Sequence, residues 1–260
     1  MTIGSPFNIT ISAIILLFLA GSSPPRPVPV RKTEGLLHGF LLLRDMDNNI
    51  IASGDLTQVA NGARVTSDLA FHFKDGSIHQ ETTVFSQHGV FRLLTYHLVQ
   101  KGASFKRSTD MKLDASTGQV TIVSAEPGGK EQTISDHLHF PADLANGLVD
   151  TLLNDIDPKA ASTTVSYVVT TPKPRIVKVE ISAEGEDSFT IGGSAHKAIR
   201  YVAKIHLGGI AGVVAPIIGK DPPPTHVWMS AGNAPVFLKS EGQLYEDGPI
   251  WRIELTSPVW

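Results

Sequence analysis

The alternation of apolar and polar residues between Arg64 and Gln100 predicts three β-strands joined by two tight turns. Alternation of this kind is typical of strands that have one buried face and one solvated face. Asp75-Gly76 and His88-Gly89 separate the alternating runs, and glycine supplies the positive φ that a tight hairpin turn requires. We therefore expect an antiparallel meander in this part of the chain.

The same pattern continues through the rest of the sequence. Turn signals such as Asn61-Gly62, Thr117-Gly118 and Asp247-Gly248 separate further β-type runs, and residues 199–207 alternate as cleanly as the meander does. Short strands punctuated in this way indicate an antiparallel, mainly β architecture. A sheet with one apolar face must cover that face with another layer.

One segment, Pro141 to Asp155, breaks the alternation. Leu144, Leu148 and Leu152 recur every four residues, which predicts an amphipathic helix near residues 141–155. We therefore expect a strongly curved, half-barrel-like antiparallel sheet that wraps one amphipathic helix. The polar residues assigned to the solvated side of this helix are Asp143, Asn146, Gly147, Asp150 and Asn154.

The N-terminal region differs from the rest in composition. Residues 1–23 contain an uncharged apolar run followed by small residues, which predicts a signal peptide or an N-terminal anchor. Residues 24–33 are rich in proline and predict an extended linker without a packed core. We expect residues 34–260 to form a single antiparallel β domain. We expect the protein to be exported and to be periplasmic or secreted. If residues 1–23 are not cleaved, they would anchor the protein to a membrane.

Composition excludes several classes of function. The 22 basic and 25 acidic residues give a formal net charge of −3, so we expect no nucleic-acid partner. The absence of cysteine excludes disulfides, thiolate metal sites and a lipid-modified cysteine. No glycine-flanked serine elbow, zinc-protease helix or phosphate-binding loop occurs, so we expect no cofactor and lean against an enzyme.

The ten histidines prompt a search for metal ligands. If Asp75-Gly76 forms a two-residue turn, His72 lies opposite His79, and Glu81 points to the same face. Two imidazoles and one carboxylate are a permissible ligand set for a divalent metal. We favour the alternative that these side chains form a solvated face, because a shift of one residue would separate the histidines. His137 and His139 form another pair, for which no third ligand is identifiable.

The stretch from Leu207 to Gly219 has no charge and almost no polar side chain. One interpretation is a buried connection that fills one end of the sheet. The other is an apolar flap at the mouth of a cavity, in contact with a lipid-like ligand or a membrane surface.

The predicted architecture resembles that of the curved half-barrel proteins of the bacterial envelope, the group of lipoprotein carriers and outer-membrane receptors. Residues 225–255 also resemble the tail of uncharacterised exported bacterial proteins that are assigned to domains of unknown function. The resemblance implies a fold and an envelope location, and it brings no catalytic motif. The chain departs from the outer-membrane receptors because it lacks their lipid-modified cysteine.

The leading hypothesis is an exported, non-enzymatic protein that holds a hydrophobic ligand in a concave apolar face. The ligand would be a lipid, an acyl chain or a lipidated partner. The alternative is an envelope scaffold or protein-interaction module with a filled core, and a metal-dependent hydrolase is the third hypothesis. The residues expected to line the apolar face are Phe71, Phe73, Leu93, Tyr201, Ile210, Val213, Val214 and Ile217.

Overall fold

The computed structural model describes residues 26–170, 173–191, 194–206 and 222–256. Within these ranges the chain forms fourteen strands and one short helix. In chain order they are β1 Leu37–Arg44, β2 Ile50–Asn61, β3 Arg64–Phe73, β4 Ile78–Ser86, β5 Arg92–Lys101, β6 Ser108–Asp114, β7 Gln119–Ala125, β8 Gln132–His137, α1 Val149–Leu153, β9 Thr163–Val169, β10 Arg175–Ile191, β11 Ser194–His206, β12 Thr225–Ser230, β13 Phe237–Gln243 and β14 Ile250–Thr256.

All fourteen strands belong to one antiparallel sheet, which does not close on itself. Its order is β8-β7-β6-β5-β4-β3-β2-β1-β14-β13-β12-β11-β10-β9. The first and last strands of the domain meet in its middle, where Leu43 of β1 lies opposite Ile253 of β14. The prediction of a mainly β, antiparallel fold is therefore confirmed.

One side of the sheet, called the inner side below, carries two clusters of buried hydrophobic residues. The larger cluster joins residues from both halves of the sheet, for example Phe85 on β4 and Ile181 on β10, to Leu148 in the segment before α1. Residues from distant strands meet in this cluster only because the sheet bends. The smaller cluster contains Phe71 and Phe73 on β3 together with Leu41, Leu43, Ala52, Phe105 and Trp251.

The predicted helix over residues 141–155 is limited to Val149–Leu153. Gly147 has a φ of 70°, a conformation that interrupts a right-handed helix. The preceding residues instead run beside the free edge of β9, where Ala145 N donates to Ser166 O at 2.8 Å and Ser166 N donates to Asp143 O at 3.0 Å. An exposed strand edge has unpaired backbone groups, and this segment satisfies them.

The periodicity predicted the buried leucines correctly but misplaced two polar residues. Leu144, Leu148 and Leu152 are at most 4% exposed. Asp143 and Asn146, which were assigned to the solvated side, are also buried. The Asn146 side chain bonds to both backbone groups of Val168, at 2.9 and 3.0 Å, and Asp143 accepts a bond from Ser166 and pairs with Lys178. Bonding to a strand edge therefore explains why these two side chains are buried.

The proline-rich region is packed against the domain over part of its length. Val28 is buried, and Val30 N donates to Gly89 O at 3.0 Å. The Arg31 and Lys32 amides both donate to Asp155 Oδ1. An extended chain keeps its N–H groups free for such pairing, so the ordered contacts begin before the predicted boundary at residue 34. The predicted signal peptide, residues 1–23, lies outside the described residues.

No helix in the described ranges is long and apolar enough to cross a membrane.

Candidate functional site

The apolar residues predicted to line a ligand-binding face are core residues wherever they are described. Phe71 and Phe73 belong to the smaller cluster, and Leu93 and Tyr201 belong to the larger one. None of the four is more than 6% exposed, so they do not line an open hollow. The other predicted residues, Ile210, Val213, Val214 and Ile217, and the whole stretch 207–219, lie outside the described residues.

The predicted pairing of His72 with His79 is wrong by one residue. His72 lies opposite Ile78, and His79 lies opposite Phe71. His72 is therefore exposed on the outer side of the sheet, whereas His79 is fully buried on the inner side. Within the described ranges, no group of three His, Cys, Asp or Glu side chains is arranged to hold a metal ion.

The turn between β3 and β4 explains this shift. Phe73 N donates to Ser77 O at 2.9 Å and Gly76 N donates to Phe73 O at 3.1 Å, so the loop contains three residues, 74–76. A three-residue hairpin loop requires a residue with positive φ at its end, and Gly76 has a φ of 84°. The extra loop residue moves every side chain of β4 to the opposite face from the one predicted.

A row of residues across four strands of the inner side keeps contact with water. Leu56 pairs with Leu69, Leu69 with Glu81, and Glu81 with Leu98. All four are only partly buried, although neighbouring inward residues belong to the two buried clusters. The row therefore marks a partly exposed part of the inner side where the two clusters meet. We call this part the recess, and we define it by these four residues and Asp150.

Glu81 is held by a chain of hydrogen bonds that starts at the backbone of Leu244. Gln100 Nε2 donates to Leu244 O at 2.8 Å and to His79 Nδ1 at 3.0 Å. Since Nδ1 accepts this bond, the imidazole proton lies on Nε2, which donates to Glu81 Oε1 at 2.9 Å. This arrangement fixes the side chain of Glu81 beside the imidazole of His79.

Two tyrosines extend the polar group around Glu81. Tyr96 on β5 is buried and hydrogen-bonds to Glu81. Burial first, and then the Glu81 charge, raise the pKa of Tyr96 well above its usual value. Burial followed by the charges of Glu81 and Asp150 likewise raises the pKa of Tyr167, whose oxygen accepts a bond from the Gly147 backbone. Both phenols therefore remain neutral hydrogen-bonding groups.

The backbone at Gly147 packs so closely against Thr83 and Tyr96 that no side chain fits at this position. A Cβ placed on Gly147 would lie 2.1 Å from Thr83 Oγ1 and 2.9 Å from Tyr96 Cε2. Thr83 itself is 2% exposed. The close approach of Gly147 thus places the segment before α1 directly against the inner face of β4.

Asp150 combines an accessible side chain with an environment that penalises its charge. Its surface is exposed to water, yet burial first and the Glu81 charge second raise the pKa of Asp150 from 3.8 to about 6. The two observations agree if the carboxylate projects into a wet space that protein surrounds on most sides. Because the segment that begins at Gly147 lies against Thr83 of β4, we assign Asp150 to the recess together with Glu81.

The outer side of the sheet carries a very different set of charges, here called the outer network. It begins on β1, where Arg44 Nε donates to Glu254 Oε2 at 2.8 Å. On β14, Arg252 lies 3.6 Å from Glu254 and 2.9 Å from Glu241 Oε1. Lys239 Nζ reaches the same Glu241 oxygen at 3.3 Å.

The outer network continues through an aromatic residue to β10. Lys239 Nζ lies 4.0 Å from the centre of the Trp228 ring. Trp228 Nε1 donates to Asp187 Oδ2 at 2.6 Å, and Arg200 Nη1 donates to the same oxygen at 3.0 Å. Trp228, Lys239 and Asp187 border a shallow depression of about 530 Å³ that Phe189 also lines. Each charge in this network faces a partner.

Comparison with known proteins identifies no family for this chain. No family model matches the chain, and no curated protein matches it. A crystal structure of a β-barrel-like protein from Brucella abortus, of domain of unknown function DUF1849, aligns with 8% identity and a TM-score of 0.42. The alignment covers 86% of this chain and 99% of that one.

Sequence reasoning identified only one residue of the recess. Glu81 was recognised as sharing a face with His79, but as part of a metal site. The other four residues of the recess, Leu56, Leu69, Leu98 and Asp150, were not predicted as site residues. The available signal is that Glu81 pairs with Leu69 and Leu98 once the strand register is known, since a charge between two leucines requires a local reason.

Proposed function

We propose that this chain is an exported, non-enzymatic β-rich protein that binds a hydrophobic ligand in the recess. The ligand class is a lipid, another acyl-chain compound or a lipidated partner. The supporting observation is the partly exposed row formed by Leu56, Leu69 and Leu98 around Glu81 on the inner side. Binding an apolar group there would remove leucine surface from water, which is the main favourable term in such association.

This proposal relocates the ligand relative to the sequence prediction. Four of the residues predicted to touch the ligand are already buried in the clusters and would pack behind the recess. They are Phe71, Phe73, Leu93 and Tyr201. The ligand would instead touch the leucine row, and the polar group around Glu81 would fix its orientation. Sites of this kind combine apolar walls with a few placed polar groups.

Export to the bacterial envelope is part of the same proposal. It rests on the uncharged apolar run in residues 1–23 and on the absence of cysteine. A membrane surface is a natural source of acyl-chain ligands for an exported protein. N-terminal sequencing of the protein from its own host tests this part, since export with cleavage removes the first residues.

A second candidate function is an envelope scaffold or protein-interaction module. It is favoured by the burial of Leu148, Leu152 and Leu153, which fill much of the inner apolar face. Under this proposal the working surface would be the depression beside Trp228 on the outer side. A metal-dependent hydrolase gains no support, since His72 and His79 lie on opposite faces of the sheet.

Titration with the neutral fluorescent dye Nile red distinguishes the two candidates. We expect saturable binding by the wild type and weaker binding by Leu69→Gln, which makes one wall of the recess polar. Val59→Gln is the matched control, because Val59 is 55% exposed on the outer side of β2. An absence of saturable binding, or an equal loss in both variants, would reject the ligand proposal in favour of the scaffold.

A further inference from the structure

We propose that the free edge of β8 binds an extended peptide that ends in a free C-terminal carboxylate. The peptide would join the sheet antiparallel to β8, and Arg107 and Lys130 would bind its carboxylate. The partner is thus a polypeptide with an accessible, extended C-terminus. This inference concerns the edge of the sheet and is independent of the ligand proposed for the recess.

The two edges of the sheet differ in how the chain covers them. The sheet ends in β8 on one side and in β9 on the other. The segment before α1 covers β9, where Ala145 N donates to Ser166 O at 2.8 Å. No segment in the described ranges pairs with β8 on its outer edge. All residues of β8 except Ile134 are exposed, and none is a lysine, an arginine or a proline that would discourage pairing.

The register identifies the backbone groups that are free on β8. Leu138 N, directly after the strand, donates to Gly118 O of the turn before β7 at 2.9 Å. Bonded pairs alternate along an antiparallel ladder, so residues 132, 134 and 136 bond to β7. The N–H and C=O groups of Thr133 and Ser135 therefore point away from the sheet. An added strand can bond to these groups without displacing any part of the chain.

The two ends of this edge are not equivalent. At the far end, His137 N already donates to Asp136 Oδ1 at 2.7 Å. The end at Gln132 remains open, and a strand antiparallel to β8 would finish there with its C-terminus. Ile134 is partly buried and packs against the larger cluster. An apolar peptide residue opposite Ile134 would therefore extend the buried inner side.

A depression with two unpaired cations lies at the open end. Its volume is about 200 Å³, and Gln132, the first residue of β8, lines it together with Arg107 and Lys130. Both cations are exposed, and neither forms an ion pair or a hydrogen bond with another residue in the described part of the chain. Glu126, an exposed carboxylate in the turn after β7, also lines the depression. Two cations against one carboxylate leave a positive charge that complements an anion.

A chain terminus uses both features together. An internal segment of a partner would pair with β8 but would bring no backbone charge to Arg107 and Lys130. A small anion would bind the cations but would leave the free groups of Thr133 and Ser135 unused. An antiparallel strand with a free carboxylate satisfies the backbone groups and places its charge at the depression. The direction of the sheet therefore favours a C-terminus over the other occupants.

Fluorescence polarisation with two synthetic peptides tests this proposal. Both are hexapeptides of alternating valine and serine that carry fluorescein at the N-terminus. One ends in a free carboxylate and the other in an amide. We expect the carboxylate peptide to bind the full chain about tenfold more tightly, because hydrogen bonds to charged groups are the stronger ones. Equal affinity for the two peptides, or no binding of either, would overturn the proposal.

Charge variants assign the preference to the depression. Arg107→Gln and Lys130→Gln should each lower the affinity for the carboxylate peptide toward that for the amide peptide, and amide binding should stay unchanged. Lys74→Gln is the control, since Lys74 is an exposed lysine in the turn between β3 and β4. The same loss in Lys74→Gln would show that the preference arises from net charge and would contradict the proposal.

A substitution on β8 tests the backbone part. Thr133→Pro removes an N–H that points outward, so it removes no bond to β7. We expect it to weaken both peptides by about tenfold or more, whereas Thr133→Ala keeps the N–H and should bind as the wild type does. Unchanged binding by a folded Thr133→Pro would refute pairing along β8. Circular dichroism checks folding, and if Thr133→Pro unfolds, the comparison of Arg107→Gln with Lys74→Gln decides.

Sedimentation velocity identifies a competing occupant. If a second copy of the chain paired with β8, the wild type would be a dimer and Thr133→Pro a monomer. That result would assign the edge to self-association and overturn the peptide proposal. We expect the wild type and Thr133→Pro to sediment alike.

Discussion

The recess and the outer network arrange their charges in opposite ways. In the outer network, every carboxylate faces an arginine, a lysine or an indole N–H, so the charges balance without any further molecule. In the recess, Glu81 is hydrogen-bonded to His79, and Asp150 has no ion-pair partner among the described residues. The charges of the outer network compensate one another, whereas within the described residues the carboxylates of the recess have no lysine or arginine partner.

The difference has a structural origin. The outer side of β10 to β14 is solvated, so polar residues can occupy every second position and pair across strands. The inner side is mostly apolar in the two clusters, and the charge at Glu81 lies between Leu69 and Leu98 of the neighbouring strands. A charge kept in such a position costs stability, and function is the usual reason for keeping it.

The largest expected effect tests whether the surroundings of the recess are closely packed. Leu148 is 1% exposed and belongs to the larger cluster, so Leu148→Ala should lower the free energy of unfolding by about 2–5 kcal/mol through loss of contacts and formation of a cavity. Urea denaturation measures this. Leu255→Ala is the control, because Leu255 is 40% exposed, and it should cost about 0.5 kcal/mol. Equal costs would mean that the inner side is not packed as described.

The next effect concerns the close contact between Gly147 and Thr83 of β4. Gly147→Ala introduces a Cβ 2.1 Å from Thr83 Oγ1 at a φ of 70°, and we expect it to cost about 2–4 kcal/mol from backbone strain and displacement of the threonine. Gly62→Ala isolates the backbone part, since Gly62 has a φ of 61° with open space around it. That control should cost about 1 kcal/mol. If both variants lose the same stability, the close contact between residue 147 and β4 does not exist.

A pH dependence should distinguish the acid of the recess from surface acids. The pKa of Asp150 is raised from 3.8 to about 6 in the folded state, so the folded protein holds a proton there more tightly than the unfolded chain does. Ionising Asp150 therefore costs more free energy in the folded protein than in the unfolded chain. This cost is absent below pH 3.8, where the carboxyl is protonated in both states, and it is fully present above about pH 6. The free energy of unfolding therefore falls as the pH rises between these two values. Asp150→Asn should therefore be more stable than the wild type near neutral pH, by about 1 kcal/mol or less because water screens an accessible group.

Urea denaturation at several pH values checks this expectation. The difference between Asp150→Asn and the wild type should shrink as the pH approaches 4, whereas Glu126→Gln should differ little from the wild type at any pH. A wild type that is more stable than Asp150→Asn near neutral pH would show that Asp150 has a cationic partner, and the contrast between the two regions would disappear.

Local pattern was sufficient to predict the strands, most turns and the buried leucines around Leu148. It was insufficient wherever the outcome depended on one extra loop residue or on distant contacts. The three-residue loop ending at Gly76 reversed the faces of β4, and hairpin signals of the Asp-Gly type fit loops of either length. Burial of Asp143 depends on the free edge of β9, which only the complete sheet reveals.

The recess could not be predicted for the same reason. Glu81 and Asp150 lie far apart in the sequence and come together only because the segment after β8 returns to the inner side of β4. Charges of the outer network are also distant in sequence, but their strand neighbours follow from alternation once the sheet order is known. Pairing across regular strands is thus more predictable than contact between a strand and an irregular segment.

The smallest expected effect tests the balanced side of the comparison. Arg252 Nε lies 2.9 Å from Glu241 Oε1, and both side chains are about one-fifth exposed. Burial alone would raise the pKa of Glu241, but the Arg252 hydrogen bond and the Lys239 charge outweigh it and lower this pKa. The pair therefore stabilises the fold above the ordinary pKa of glutamate and loses this contribution as the pH falls through the lowered value.

A double-mutant cycle with Arg252→Ala and Glu241→Ala measures the coupling between these side chains. We expect about 0.5–1 kcal/mol in low salt and less in high salt, because partly solvated pairs are screened. Thr66→Ala combined with Arg252→Ala is a control with no shared contact, and it should give no coupling. A coupling above about 3 kcal/mol that does not change with salt would mean that the pair is effectively buried. In that case the outer network would be as costly to assemble as the recess, and unbalanced charge would no longer distinguish the candidate site.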